Sequence, residues 1–256
     1  MRITTILILM TLIFSCNKEE VQPTTVNTDP AKPLNDKIIE KEDGSLWLYG
    51  GPNETDHFNI NNHALNLFHL KYGLGRETFH ALRNPEYIPL SDLTQPIPDE
   101  FEVILIQANE GKIAYPLELM VKHEVINDVI DGIPVLVSYC VLADFIGIFP
   151  REYCKQTLTF GVSGYTYYEE GIRDGRDGFV LWDRDTESLW WPIINSGVSG
   201  ELRGARLDID LPFTWERTTM DDLRTNHPNS KILRFGQEEE PPVTWPRLEE
   251  SDFDCD

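Results

Sequence analysis

The stretch that decides the fold runs from Tyr115 to Cys140 and reads YPLELMVKHEVINDVIDGIPVLVSYC. Pro116 suits the first turn of a helix, which we expect to run to about Ile126. Asp131-Gly132 then predicts a turn. Ile133 to Tyr139 is rich in β-branched residues and almost wholly apolar, which predicts a strand buried on both faces. The stretch therefore predicts a helix, a turn and a central strand, in that order.

The sequence on either side of this stretch consists mostly of short strand patterns. Phe101 to Ala108 predicts an apolar strand, and Glu110-Gly111 a hairpin into the residues before Pro116. Further strands are predicted at Ser45–Tyr49, Gln156–Val162, Gly178–Trp182 and Leu207–Leu211, and helices at Asn62–Tyr72 and Thr219–His227. Many short strands with few helices indicate an α+β, mainly β fold: a single domain of short mixed strands with a few short helices.

The charge balance excludes some classes of partner. Among 256 residues, 43 are acidic and 22 are basic, and the formal net charge is −21. Nucleic-acid binding needs clustered lysine and arginine that release counterions from phosphates, so no nucleic-acid partner is expected. Electrostatic docking on anionic lipid is excluded for the same reason.

The N-terminus has the pattern of an export signal, with Arg2 ahead of a short apolar run that is too short to span a bilayer. Leu12 to Cys16 then resembles a bacterial lipobox. The resemblance implies that residues 1–15 are a lipoprotein signal peptide. It also implies that Cys16 carries diacylglycerol and an amide-linked acyl chain such as palmitate. An ordinary secretory signal with an incidental cysteine is the alternative.

The residues after Cys16 give an expected location. Asn17-Lys18-Glu19-Glu20 looks like the surface-export signal of Bacteroidota lipoproteins. The resemblance implies a protein held to the outer membrane through the lipid on Cys16, with its domain exposed at the cell surface. The membrane is therefore one expected partner, whereas the sequence does not identify a protein or small-molecule partner.

Composition divides the rest of the chain. Residues 16–44 are expected to be the lipidated N-terminus and a flexible tether, residues 45–236 a single globular domain, and residues 237–256 a disordered acidic tail. Besides Cys16 the chain has Cys140, Cys154 and Cys255, which allow one internal disulfide. We expect Cys140 to pair with Cys154, although their spacing does not require it.

His123, Glu124 and Asp128 form the polar cluster of the central stretch. The pattern His123-Glu124-x-x-Asn127 echoes the zinc motif His-Glu-x-x-His, but asparagine replaces the second histidine, which excludes that type of metalloprotease. A functional site would use His123 as a general base or metal ligand oriented by Asp128 or Glu124. The alternative is a helix end at which Asn127 and Asp128 cap backbone groups before the turn.

Cys140 follows the central strand and completes the candidate site. It could be a nucleophile paired with His123 in acyl transfer. It could also bind copper or zinc together with His123, and the sequence indicates no other cofactor. The alternative is a small, buried, apolar side chain at the end of a strand.

Two other patterns have structural interpretations. Asp183, Asp185 and Glu187 miss the spacing of a calcium loop and predict a solvated hairpin turn. Gly161-Val162-Ser163-Gly164 lacks the last glycine of a nucleophile elbow and predicts a tight turn.

Ordered blocks of residues give a resemblance to a known family. They are Gly75-Arg76-Glu77, Asn84-Pro85-Glu86-Tyr87, Ala114-Tyr115-Pro116, His123-Glu124 with Asn127-Asp128, Gly132-Ile133-Pro134-Val135, Tyr139-Cys140, Leu158 to Gly164, Asp183-Arg184, Ser188-Leu189-Trp190, Val198-Ser199-Gly200, Thr214-Trp215 and His227-Pro228. In this order they resemble the bacterial domain of unknown function family 3179, over about residues 75 to 235. The resemblance implies little about activity, since the family is defined without one.

The chain departs from the family pattern at one position that matters for chemistry. The family commonly has Tyr-Cys-Pro-Leu-Cys where this chain has Tyr139-Cys140-Val141-Leu142-Ala143. A pair of thiols at that spacing could cycle as a disulfide or hold a metal, and this chain lacks the second thiol.

The sequence therefore predicts a lipid-anchored cell-envelope protein whose domain has a binding or accessory role, with a degenerate site around His123 and Cys140. The alternative is a Cys/His-dependent enzyme or metal-binding redox protein that uses His123, Glu124, Asp128 and Cys140.

Overall fold

The computed structural model describes residues 36–241 and 244–255. Within these residues the first strands are β1 Ile38–Glu40, β2 Leu46–Leu48, β3 Phe58–Asn59, β4 Leu70–Tyr72, β5 Leu82–Arg83, β6 Tyr87–Pro89, β7 Glu102–Ala108, β8 Gly111–Pro116, β9 Val125–Ile130 and β10 Ile133–Cys140. They are followed by β11 Phe145–Pro150, β12 Glu152–Tyr153, β13 Gln156–Thr157, β14 Phe160–Tyr167, β15 Gly178–Asp183, β16 Leu189–Trp191, β17 Ser196–Gly197, β18 Thr214–Thr219 and β19 Lys231–Leu233. The α-helices are α1 Leu117–His123 and α2 Met220–Asn226. The prediction of a mainly β fold with few helices is confirmed.

Three larger sheets form the body of the domain. Their strand orders are β18-β7-β8-β19-β6 for the first sheet, β11-β10-β9-β5 for the middle sheet and β17-β16-β15-β14-β4 for the third sheet. Most neighbouring strands are antiparallel, whereas β19 is parallel to β8 and β5 is parallel to β9. A smaller N-terminal sheet has the order β1-β2-β3, and β12 and β13 form a two-stranded hairpin.

The alternating side chains of β10 explain the layering, because both of its faces are buried. Val135 and Val137 pack in one hydrophobic core with Ile104 of the first sheet. Leu136 and Cys140 pack in a second core with Leu181 of the third sheet. The middle sheet therefore lies between the other two, as the apolar sequence of this strand predicts.

Two further cores cover the outer faces. On the first sheet, Val103 and Leu105 pack against Met220 and Leu223 of α2. On the third sheet, Val180, Trp182 and Tyr165 pack with Leu48 and Phe58 of the N-terminal sheet. Helix α2 begins where the sequence predicts, since the Thr219 hydroxyl accepts a hydrogen bond from the Asp222 amide.

The predicted helix to Ile126 is wrong at its C-terminal end. Helix α1 ends at His123, and Glu124 has a φ of 57°. Val125 and Ile126 belong instead to β9, where they pair with Ser138 and Val137. Their branched side chains are completely buried in this strand, and packing outweighs the helical pattern.

The helix predicted over Asn62–Tyr72 is also wrong, because this segment is irregular up to strand β4. The strand Leu70–Tyr72 pairs with Tyr165–Tyr167 at the edge of the third sheet. None of the helices in the described part of the chain is long and apolar enough to cross a membrane.

The predicted tether differs from the structure at its end. The signal peptide, Cys16 and Asn17 to Glu20 lie outside the described residues. The described end of the tether contains β1, in which Ile38 and Ile39 pair with Leu48 and Trp47. Residues 38–40 are therefore part of the N-terminal sheet.

The expected Cys140–Cys154 disulfide is wrong. Cys154 is bonded to Cys255, and Cys140 is a buried free thiol. Cys140 cannot pair with Cys154 because the two side chains lie in different places. Cys140 points into the core between the middle and third sheets, whereas Cys154 lies in the tight β12–β13 loop.

Described residues of the segment after Gln237, for which the sequence predicts a disordered tail, make specific contacts with the domain. Besides the disulfide, the Trp245 indole donates to Asp185 Oδ1 at 2.9 Å. The rings of Phe253 and Tyr153 are 5.8 Å apart. Acidic composition alone predicted disorder, but this segment also contains aromatic groups and a cysteine that bind it to the domain.

Candidate functional site

His123, the last residue of α1, is buried and oriented by the backbone. Its Nδ1 is 2.8 Å from the His80 carbonyl oxygen. Since a carbonyl only accepts, Nδ1 carries the proton, and Nε2 of the neutral ring is the acceptor. Burial lowers the pKa of His123, and the His80 carbonyl counteracts this effect only in part. The imidazole is therefore neutral at pH 7.

Glu124 follows in a left-handed conformation, with a φ of 57° and a ψ of −31°. Burial raises the pKa of its carboxyl to about 7. Its backbone carbonyl accepts from the Tyr139 amide at 3.0 Å, which brings the residue beside the end of β10. Its backbone is therefore hydrogen-bonded to the residue that precedes Cys140.

Asp128 lies in β9 and faces the core between the first and middle sheets. Its Oδ2 accepts a hydrogen bond of 2.5 Å from the Tyr115 hydroxyl and another from the Tyr87 hydroxyl. Burial raises the pKa of the Asp128 carboxyl, although both hydroxyls act in the opposite direction. The structure therefore assigns Asp128 to a tyrosine pair, and His123 is oriented by a backbone carbonyl instead.

Cys140 is only 1% exposed and packs in the other core, on the opposite face of the middle sheet from Asp128. Its Sγ accepts from the Phe179 amide at 3.4 Å. Burial raises the pKa of the thiol, so the sulfur is protonated at neutral pH. A buried, protonated thiol is a weak nucleophile.

The structure thus places the Glu124 backbone beside the end of β10, where Cys140 lies, and places Asp128 on the opposite face of the middle sheet from Cys140. Within residues 36–241 and 244–255, no group of three or more His, Cys, Asp or Glu side chains is arranged to hold a metal ion. His123 and Cys140 remain the candidate metal ligands named by the sequence.

A second site lies elsewhere, in a cleft of about 680 Å³ between the third sheet, the N-terminal sheet and the C-terminal segment. We call it the arginine cleft and define it by Arg76, Glu77, Trp182, Arg184, Glu187 and Arg247. None of the four predicted catalytic residues lines it.

A β-bulge in β14 positions one wall of the arginine cleft. The pairing of β14 with β15 shifts register between Val162 and Tyr165, and Gly164 in the bulge has a φ of 85°. The Gly164 carbonyl accepts from the amides of Gly73 and Leu74 at 2.9 and 3.2 Å. The loop that carries Arg76 and Glu77 is thereby fixed on the bulge.

The same loop is held on both sides by its backbone. The Arg76 amide donates to the Gly50 carbonyl at 2.7 Å, and the Glu77 amide donates to the Val162 carbonyl at 2.9 Å. Arg76 and Glu77 are consequently placed between the N-terminal sheet and β14 without a regular element of their own.

Arg184 and Glu77 form a buried, bidentate ion pair at the inner end of the cleft. Arg184 Nε donates to Glu77 Oε1 at 3.0 Å, and Nη2 donates to Oε2 at 2.9 Å. Arg184 is only 2% exposed. A charge pair so far from water requires this parallel geometry to offset its desolvation.

Arg76 and Arg247 share one carboxylate nearer the mouth of the cleft. Arg76 Nη2 donates to Glu187 Oε1 at 2.8 Å, and Arg247 forms an ion pair with the same oxygen. The Arg76 guanidinium lies over the Trp182 ring, with 3.5 Å from Cζ to the ring centre. This distance is typical of a cation–π contact.

The turn that carries Arg184 and Glu187 is buried, so the prediction of a solvated hairpin turn is wrong. Asp183 is completely buried and accepts from Thr186 N at 2.6 Å and from Trp190 Nε1 at 2.7 Å. Burial raises the pKa of Asp183 to about 7. The sequence of the turn is polar, but the Asp183 carboxylate accepts its hydrogen bonds from groups inside the domain.

Sequence reasoning gave the cleft residues no role. Gly75-Arg76-Glu77 and Asp183-Arg184 were parts of the family pattern, and Trp245 was seen only as part of a tail. The available signal was Arg184, a charged residue two positions after the apolar strand Gly178–Trp182. It could not be joined to Glu77, which lies 107 positions earlier.

Comparison with known proteins places the chain in one family. The model of the family described as "Protein of unknown function (DUF3179)" matches residues 76–242, and the chain belongs to this family. The match includes both Arg76-Glu77 and Asp183-Arg184, and also the stretch from His123 to Cys140. No curated protein and no solved structure matches the chain.

Proposed function

We propose that the protein is a lipid-anchored cell-envelope protein whose domain binds a small ligand in the arginine cleft, in a binding or accessory role. The observation that carries the proposal is the cleft itself. Its volume of about 680 Å³ lies within the range of roughly 300–1,000 Å³ typical of small-molecule sites. Two tryptophans and six charged side chains line it, a composition that suits a polar ligand.

The arrangement of the predicted catalytic residues supports binding over catalysis. The Cys140 thiol is buried and protonated, and Asp128 is bound by two tyrosines on the other face of the middle sheet. A nucleophilic cysteine requires a lowered pKa and access to substrate. The lost second cysteine of the family pattern agrees with a degenerate site.

The lipid anchor is proposed from the sequence Leu12 to Cys16, with the outer-membrane surface as the location. We expect Cys16→Ala to lose a metabolically incorporated acyl label and to leave the membrane fraction, because no other cysteine is at the processing site. Asn17→Ala is the neighbouring control and should keep the label. An acyl label that persists in Cys16→Ala would contradict the anchor.

The binding role can be tested by filling the cleft. Thr55 is exposed and lines the cleft, so Thr55→Trp should block it without changing the core. The full-length protein in detergent is incubated with a small-molecule extract of envelopes and weighed by native mass spectrometry. We expect a bound small molecule that Thr55→Trp loses and Glu118→Trp, an exposed control on α1, retains. The same bound small molecules in the spectra of both variants would contradict the binding role.

A Cys/His-dependent enzyme is the second candidate, favoured by Glu124, whose carbonyl accepts from the amide of the residue before Cys140. A carboxyl with a pKa of about 7 could exchange a proton near neutral pH. The rate of Cys140 alkylation by iodoacetamide against pH separates the candidates. An enzyme requires that the thiolate forms, and alkylation begins, at a pH well below the ordinary thiol pKa of about 8.5. The binding role requires that alkylation begins only at a pH above that value.

A further inference from the structure

The inner end of the arginine cleft contains a hydrogen-bond donor that the protein does not use. Two nitrogens of Arg184 donate to Glu77, but Nη1 is shielded from water and has no partner among the described residues. A buried, charged N–H group without an acceptor is costly. Arg184 lines the cleft, so the missing acceptor would come from a molecule bound there.

Trp182, which also lines the cleft, carries a second unused donor. Trp182 Nε1 is buried and has no hydrogen-bond partner in the described residues. Both unsatisfied side-chain groups of the cleft are therefore N–H donors, and a complementary ligand would supply acceptor oxygens.

At the mouth of the cleft, the charges of Arg76 and Arg247 are matched by those of Glu187 and Asp56, so hydrogen-bond donors rather than net charge would select a ligand. Arg76 and Arg247 share one oxygen of Glu187, so neither guanidinium has a carboxylate of its own. Asp56 also lines the cleft, and its Oδ2 accepts from the Asn53 amide at 3.0 Å. Guanidinium groups match the planar geometry of carboxylate and phosphate oxygens.

The C-terminal segment supplies the remaining wall. The Trp245 indole lies over the Arg184 guanidinium, with 5.6 Å between the ring centre and Cζ. The indole N–H donates a hydrogen bond to Asp185 Oδ1. The guanidinium of Arg184 is thus enclosed between Glu77 and an aromatic ring. Such an enclosure strengthens the attraction of an anion, because water does not screen it.

We propose that the arginine cleft binds a small organic anion, whose carboxylate or phosphate oxygens accept hydrogen bonds from Arg184 Nη1 and from the Arg76–Arg247 pair. The inference rests on the proposed binding function and names its ligand class. The acidic chain as a whole repels anions, so recognition depends on these few donors at short range.

The first test uses tryptophan fluorescence, since Trp182 and Trp245 both line the cleft. Full-length protein in detergent is titrated at constant ionic strength with succinate and with inorganic phosphate, which distinguish the two oxyanion sources. Succinamide and tetramethylammonium serve as the neutral and cationic probes. We expect at least one oxyanion to bind and the other two probes to give no response. Failure of both oxyanions, or binding of tetramethylammonium instead, overturns the inference.

The second test uses variants with opposite expected signs. Arg247→Gln should weaken oxyanion binding about tenfold, because it removes a charged donor. Glu187→Gln should strengthen binding, since it releases both arginines from their shared carboxylate. A residue that merely supports the fold would not produce gains and losses in this pattern.

Arg234→Gln is the matched control for Arg247→Gln. Arg234 is also ion-paired with a glutamate, and its side chain is 42% exposed compared with 46% for Arg247. We expect its oxyanion affinity to equal that of the unmodified chain, and equal losses in both arginine variants would overturn the inference. If a natural ligand lost in Thr55→Trp proves to lack an acidic group, the anion inference fails while the binding function stands.

Discussion

Glu124 combines a positive φ with a partly buried carboxyl. A positive φ is unfavourable for a residue with a side chain, and burial raises the pKa of this carboxyl to about 7. Strained residues with perturbed acids occur often at functional sites. Glu124 therefore remains the most informative of the four sequence candidates, even though the cleft lies elsewhere.

We expect Glu124→Gln to change how stability depends on pH. The folded chain keeps the Glu124 proton up to a pKa of about 7, while the unfolded chain releases it near 4.5. The folded state thus binds more protons between these values, so its stability decreases as pH rises through that window. Above pH 7 the glutamine variant should be more stable by up to about 3 kcal/mol.

Urea unfolding at pH 5 and pH 8 measures this difference. Glu118→Gln, on the exposed face of α1, should follow the unmodified chain at both values. If Glu124→Gln and the unmodified chain keep the same stability difference at pH 5 and pH 8, the carboxyl is not desolvated as described.

At the residue scale, the sequence identified polar side chains in an apolar stretch but could not show which face of the sheet each of them occupies. Asp128 and Asn127 are neighbours, yet one accepts from Tyr115 and the other accepts from the Phe160 amide across the middle sheet. Alternate residues of a strand face opposite sides. The prediction put Asp128 near His123 at the end of a helix, whereas Asn127 and Asp128 are consecutive residues of strand β9.

At the scale of elements, the bulge in β14 is the feature that builds the arginine cleft. Gly161 to Gly164 was predicted to be a tight turn, and the structure places it within a strand. A Cβ on Gly164 would lie 2.0 Å from the Leu74 carbonyl oxygen. Only glycine allows the loop before Arg76 to approach this closely.

We expect Gly164→Ala to be much more destabilising than Gly171→Ala. Both glycines have a similar φ, 85° and 89°, so both changes carry the left-handed cost of about 1–2 kcal/mol. A Cβ on Gly171 meets no atom within 4 Å. The overlap at Gly164 should add at least about 2 kcal/mol.

The free energy of unfolding in urea distinguishes these variants. Similar losses for Gly164→Ala and Gly171→Ala would mean that the Gly73–Leu74 loop moves away without cost. In that case the bulge would not fix the position of Arg76.

The elements that the sequence predicts well are those whose pattern agrees with their burial. Ile133–Cys140 is apolar and buried on both faces, and Thr219 caps α2 as its sequence predicts. The helix predicted over residues 62–72 failed because Leu70 and Tyr72 alternate in an edge strand. A short segment with few apolar residues fits both the helical and the strand periodicity, and pairing with other strands decides which structure forms.

At the scale of the whole molecule, a disulfide closes the described part of the chain on itself. Cys154 and Cys255 are 101 positions apart, and their bond fixes the segment that carries Trp245 and Arg247. The sequence allowed one internal disulfide but could not select the pair, because the choice depends on where β10 and the β12–β13 loop point.

We expect Cys255→Ser to lower the free energy of unfolding by about 2–5 kcal/mol, because closing a loop of this length restricts the unfolded chain. Thermal unfolding in non-reducing buffer measures the loss. With a thiol reductant, the unmodified chain should approach the variant. Unequal stabilities under reducing conditions would show that the serine acts in another way.

The bond between Cys154 and Cys255 also sets a condition on expression. Glutathione keeps such cysteines reduced in most cytosols, so a recombinant chain made there would emerge with its last residues untied. One gene would then yield two preparations, alike in their sheets but different in how firmly the indole of Trp245 rests on Arg184. The choice of host compartment would decide which of the two a crystallisation trial or ligand screen contains.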